Sequence, residues 1–218
     1  MHIQEGYLPM EWCMVWYILS IIVVAIGIIQ LRKVIKENPE AKKILTINGI
    51  VMFLVSLLGV SSLKGCESSP LVNGLSGSIF GPAVTSVVVA IVLLLQAIIL
   101  GYGGITTLGA NIFAMGVVGP LAACIVYYFL NRTSIPDIVS LMFAVLIANI
   151  FTLATTALQF TLVYGESFFM FLTLLALPQA FLVIVDLIVS IILFIALKSM
   201  FKDSKIFSQE LNDFFKIG

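Results

Sequence analysis

Charge is what this chain has least of. Asp, Glu, Lys and Arg make up 10% of its 218 residues, against 61% hydrophobic residues. Soluble domains carry about a quarter charged residues, so most of this surface must face lipid rather than water. Residues 68–131 hold no charged side chain at all. That run has room for two helical spans of about 20 residues each, with a surplus for a re-entrant segment. Histidine is rarer still: His2 stands alone, which excludes a nucleophilic triad built on an internal imidazole. Cys13, Cys66 and Cys124 are scattered and odd in number, with no CxxC pair, so neither a disulfide framework nor a cysteine zinc site is expected. A GxxxxGK[ST] phosphate loop is also missing, which excludes ATP hydrolysis by that route. Eleven basic and eleven acidic residues cancel, and no nucleic-acid partner is expected. Before the first apolar run stand Glu5 and Glu11 but no Lys or Arg. This reverses the basic start of a cleavable signal, so Met1 is expected to be the mature N-terminus.

What is present is a series of apolar runs. Trp12–Leu31 is twenty residues long, with Trp12, Trp16 and Tyr17 near one end as in an interfacial aromatic belt. A basic island, Arg32–Lys43, turns at Pro39 and leads to a second span, Ile44–Leu63. Polar residues 64–73 and a glycine-punctuated stretch, Gly74–Gly81, precede a third span at Pro82–Leu100, with proline in its first turn. Gly101–Leu108 reads as a loop, Gly109–Leu130 as the fourth span and Asp137–Tyr164 as the fifth. Ser167–Leu197 is long enough for at least one more and is expected to break near Pro178. Gly77-x-x-x-Gly81 would allow close helix approach, and Asn131-Arg-Thr133 fits a three-residue glycosylation pattern of little specificity.

The expected fold is therefore an all-α integral membrane bundle. Arg32, Lys33, Lys36, Lys42 and Lys43 lie in one island, and Lys198, Lys202, Lys205 and Lys216 in the tail. If both islands are cytoplasmic, the N-terminus is outside and the number of crossings is odd; seven are expected. Residues 1–198 form one transmembrane domain and 199–218 a cytoplasmic tail. In that tail Phe207, Leu211, Phe214 and Phe215 fall at helical spacing, as in an interfacial helix on the inner leaflet or a docking helix.

His2 lies one residue from the α-amine. An amine, a main-chain amide nitrogen and an imidazole so close together can chelate one transition-metal ion in a plane, a nitrogen-rich tetragonal set suited to Ni(II) and Cu(II). By itself a terminal histidine more often does nothing. Its surroundings change the weighing.

The opening Met1-His2-Ile3-Gln4-Glu5-Gly6-Tyr7-Leu8-Pro9, the stretch from Gly74 to Pro82 and the segment from Gly101 to Pro120, with Thr106, Thr107 and Asn111 inside it, belong together. They resemble the CbiM/NikM family, the substrate-specific membrane component of energy-coupling-factor cobalt/nickel transporters. The likeness runs over roughly residues 1–195, with Gln179 and Asp186 at a more degenerate motif. The resemblance implies that the N-terminus folds from the outside face into the bundle. It implies that Met1 and His2 hold the metal, together with a further histidine after the second span.

That histidine is absent; aligned back from Gly81-Pro82, Ser69 stands in its place. Cys66 or Glu67 could supply the missing donor, or water, Asn73 or a backbone group could complete the chelate. Alternatively, the chain is a divergent paralogue with a different metal or another substrate. In the functional reading Thr106, Thr107 and Asn111 orient the N-terminal segment; in the plain one they satisfy the backbone of a re-entrant helix. Asp186 is the one charge in residues 167–197 and is expected to face the bundle interior, as is Gln179.

What the resemblance implies is a capture subunit, not an enzyme, in a prokaryotic cell membrane. It would take Co(II) or Ni(II) from outside, cobalt favoured. It would have no intrinsic cofactor and would work with a transmembrane coupling subunit, ATP-binding subunits and a small accessory membrane subunit. A membrane scaffold that binds no substrate is the rival from another class.

Overall fold

The computed structural model describes residues 1–61 and 65–202. The tail sequence around Phe207–Phe215 lies outside the described residues. Helix α1 (Met10–Glu37) starts after Pro9 and stops at Asn38, the residue that Pro39 pushes out of helical geometry. Helix α2 (Glu40–Ser56) follows Pro39 at once, with Glu40 in its first turn. Helix α3 (Asn73–Ile99) is two arms joined at Gly81, whose φ of 74° and ψ of 171° no helix can hold. Pro82 then begins the second arm. Helix α4 (Leu108–Leu130) widens into a π-helical turn at Phe113–Val118. Pro120 lies just beyond it, offers no N–H to the preceding turn and crowds its carbonyls. Helix α5 (Asp137–Tyr164) runs from Pro136 to Gly165, a left-handed stop. Helix α6 (Phe168–Met200) is a single helix of 33 residues.

Five of these helices are long and apolar enough to cross a membrane, and α2 has 17 residues. Their outer faces carry Ile29, Phe169, Leu177 and Phe181, each about 70% exposed, as suits helices whose solvent is hydrocarbon. One expectation is corrected here. Residues 167–197 do not break at Pro178; α6 runs through it as one helix. One lost hydrogen bond costs less in lipid than baring the N–H and C=O groups of a broken turn.

Nor is the fold purely α. Residues His2–Ile3 (β1), Val60–Ser61 (β2) and Cys66–Ser68 (β3) make an antiparallel sheet in the order β1-β3-β2. His2 lies opposite Glu67 and Ile3 opposite Cys66. The second span accordingly ends at Ser56, short of Leu63, because the chain leaves the helix to supply β2.

Two contacts fix where things lie. The Tyr164 hydroxyl at the end of α5 donates to the Tyr7 carbonyl at 2.8 Å, and Lys198 near the end of α6 pairs with Asp137 at the start of α5 at 2.6 Å. The N-terminal segment and the end of α6 are therefore at opposite ends of the bundle. The first arm of α3 descends from the sheet into the interior, where Gly77 packs against the backbone of Pro120. The second arm returns to bring Gln96 beside His2.

Candidate metal site at the buried N-terminus

Residues 1–3 are as buried as any core residue: Met1 and His2 are 1% exposed and Ile3 not at all. A chain end cannot be buried unless its polar groups are met, and the partners come from four directions. On one edge β1 pairs with β3, and Gln4 N–H donates to Gly65 O at 2.8 Å. On the other edge Asn111 plays the part of a neighbouring strand. Its Oδ1 accepts from Ile3 N–H at 2.8 Å and its Nδ2 donates to Ile3 O at 3.1 Å. The Thr107 hydroxyl adds a second bond to Ile3 O at 2.7 Å. Thr106 serves elsewhere: its N–H holds the Glu5 carboxylate at 3.2 Å, where Gly104 lets Glu5 approach; a Cβ on Gly104 would lie 2.1 Å from that carboxylate.

The donors then follow. His2 Nε2 lies 2.8 Å from Gln96 Oε1. An amide oxygen only accepts, so Nε2 carries the proton and Nδ1 keeps its lone pair. Nδ1 is buried and has no hydrogen-bond partner. The α-amine, one residue away in the chain, donates to Met115 Sδ at 3.3 Å. Burial pushes the amine down to about 5. Burial first, and the neighbouring amine second, push His2 down to about 3. At neutral pH both are uncharged, the form that ligates a metal. Among the described residues no group of three or more His, Cys, Asp or Glu side chains forms a metal site. What the chain offers an ion is mostly main-chain nitrogen, and its chemistry fits a first-row divalent ion.

The structure divides the other candidates. Glu67 is engaged, accepting from Gln4 Nε2 at 3.0 Å and from Gly103 N–H at 3.3 Å. Cys66 is buried in the cluster that holds Met1, and burial pushes its thiol up to about 12. Ser69 is fully buried, and its hydroxyl has no partner. The hydrogen bonds of Gln179 and Asp186 go elsewhere than to residues 1–3; they join α5, α6 and the start of α3. Asp186 Oδ1 accepts from Val72 N–H at 2.8 Å, its Oδ2 accepts from Asn149 Nδ2 at 2.7 Å, and Gln179 Nε2 donates to Asn149 Oδ1 at 3.1 Å. Val72 sits at φ 52°, a left-handed conformation hostile to a β-branched residue. The carboxylate of α6 thus holds Val72, the residue just before the first arm of α3. An Asp186→Asn change leaves one acceptor for two buried donors. It is expected to destabilise the protein by about 1–3 kcal/mol, read as a lower thermal midpoint in detergent.

Sequence reasoning missed Gln96, Asn149 and Gln159, whose Nε2 donates to Ala110 O at 3.1 Å. The available signal was an amide side chain inside an apolar span.

Comparison with known proteins decides the family. The profile described as the cobalt uptake substrate-specific transmembrane region, CbiM, matches residues 2–204. The chain belongs to the CbiM family. It is 43% identical over 208 residues to a protein of Methanocaldococcus jannaschii named as a putative cobalt transport protein CbiM, covering 93% of this chain and 89% of that one. It is 40% identical over 167 residues to the cobalt transport protein CbiM of Streptococcus sanguinis, covering 77% and 68%. A crystal structure described as a transition metal transporter shares the fold with a TM-score of 0.80 at 20% identity, over 92% of this chain and 93% of that one. CbiM proteins are membrane components of transporters, not enzymes. With its apolar helices this CbiM chain is a multi-pass membrane protein.

Proposed function

We propose that this chain is the substrate-capture component of an energy-coupling-factor importer for a divalent transition metal. One observation carries the reading: the α-amine and the His2 Nδ1, which has no hydrogen-bond partner, are both buried, one residue apart in the chain, at one end of a membrane bundle. The ion is taken between the amine, the His2 amide nitrogen, which gives up its proton to solvent as the metal binds, and the imidazole. Gln96 holds the ring in the tautomer that exposes Nδ1, and Asn111 and Thr107 fix the strand. That end faces outward in this reading, because the basic residues 32–43 and Lys198 lie at the opposite end. Separate transmembrane coupling and ATP-binding subunits, with a small accessory membrane subunit, supply the energy. The M. jannaschii and S. sanguinis relatives are named for cobalt transport, which favours Co(II) over Ni(II).

Titrating Co(II) and Ni(II) into purified protein with a free N-terminus tests this. One ion per chain is expected, held tightly enough to survive desalting. A chain that binds neither is a scaffold and the reading fails. Ser69, a weak donor where the family resemblance places histidine, favours one variation, a paralogue tuned to a different first-row ion; the same titration with Cu(II) and Zn(II) detects it.

A further inference from the structure

Residues 1 and 2 would supply three donors, the amine, the amide nitrogen and the imidazole, and a fourth is left to another residue. We propose that Met115 supplies it, its thioether sulfur being the fourth donor to the captured ion. The inference rests on the capture reading above.

Three observations place it there. Met115 Sδ is 3.3 Å from the amine nitrogen. With metal–nitrogen bonds of about 2.0–2.1 Å and metal–sulfur bonds of about 2.3 Å, donors at right angles stand about 3.1 Å apart and donors at a tetrahedral angle about 3.6 Å. The observed separation lies between these, so an ion bound to the amine would have Met115 Sδ within bonding reach. Met115 is 1% exposed, and a thioether ligates without first losing a proton, as a thiol such as Cys66 must.

The backbone around Met115 is also built to aim it. It lies in the π-helical turn Phe113–Val118, a widening that shifts side-chain direction and recurs at functional sites. The carbonyl of Met115 is taken by Asn73 Nδ2 at 2.7 Å and that of Ala114 by the Thr152 hydroxyl at 3.4 Å. Distant side chains thus hold the turn in its widened form. Finally, a cavity of about 20 Å³ is lined by Met115, Gln96, Asn73 and Pro70. It leaves the thioether room to turn toward the ion, or holds one water. Ser69 offers only a neutral hydroxyl, an oxygen donor of the kind that suits harder ions.

A thioether in the set makes this site softer than an all-nitrogen one. X-ray absorption at the metal edge of protein loaded in turn with Co(II) and Ni(II) reads the ligand shell directly. One sulfur scatterer at bonding distance is expected in the parent and in Cys66→Ser, and none in Met115→Leu, with affinity lowered about 10- to 100-fold in the last. Leucine keeps the volume, and an unchanged thermal midpoint certifies the fold. A shell of nitrogen and oxygen alone in the parent overturns the proposal but leaves the capture reading standing. Sulfur retained in Met115→Leu and lost in Cys66→Ser overturns it in favour of the thiolate. No bound metal in the parent overturns both.

Discussion

His2→Gln is expected to lower Co(II) and Ni(II) affinity by at least about 100-fold while leaving the fold intact. Removing a group that merely orients a ligand costs about 10- to 100-fold, and in the capture reading the His2 ring binds the ion itself. Glutamine is the informative replacement. Its side-chain amide can still donate to Gln96 Oε1, the bond that His2 Nε2 makes at 2.8 Å, so no buried acceptor is stranded. It also keeps bulk at position 2. What it removes is the imidazole lone pair at Nδ1, the atom buried with no protein partner. Affinity measured by titration and stability measured by thermal unfolding should therefore separate: the first collapses and the second barely moves. Undiminished binding would place the ion elsewhere.

Asn111→Leu is the second large effect, and it acts without touching the metal. Leucine fills similar space but can neither accept from Ile3 N–H nor donate to Ile3 O. The Thr107 hydroxyl still serves the carbonyl, but the N–H of a fully buried residue is left unmet. Such an orphan costs about 1–3 kcal/mol, or about 5- to 150-fold in the occupancy of the docked strand at about 1.4 kcal/mol per decade. Metal affinity should fall by that factor. Reactivity of the α-amine toward an amine-directed reagent should rise together with it, since the same loosening exposes Met1. A fall in affinity without increased amine reactivity would show that Asn111 acts by some other route.

Much of this was legible in the sequence, and for physical reasons. Helix α5 was read to the residue, because Pro136 and Gly165 bracket an unbroken apolar run. Met1, His2, Thr107 and Asn111 were singled out through the opening and the 101–120 motif that carry the family resemblance, and the structure brings these segments together. The sheet was not legible. Strands of two or three residues carry no period, and β1 exists only because Asn111 and β3 flank it. The partnership of Gln96 with His2 spans 94 residues of sequence, and nothing in α3 announces which way its amide points. Pro178 misled because a rule learned in water, where a broken turn is solvated, was carried into lipid. Asp186 was placed correctly in the interior, but its service to Val72 required knowing that Val72 is left-handed, which a β-branched residue never suggests.

The most direct test adds a single glycine ahead of Met1 and repeats the Co(II) and Ni(II) titration beside the unextended chain. The added residue carries the amine one position away from the His2 amide and ring, and the pocket around Met1, 1% exposed, has no room for it. Loss of stoichiometric binding in the extended chain is the predicted result. An extended chain that binds as tightly as the original would mean that the chain's own end does not grip the ion.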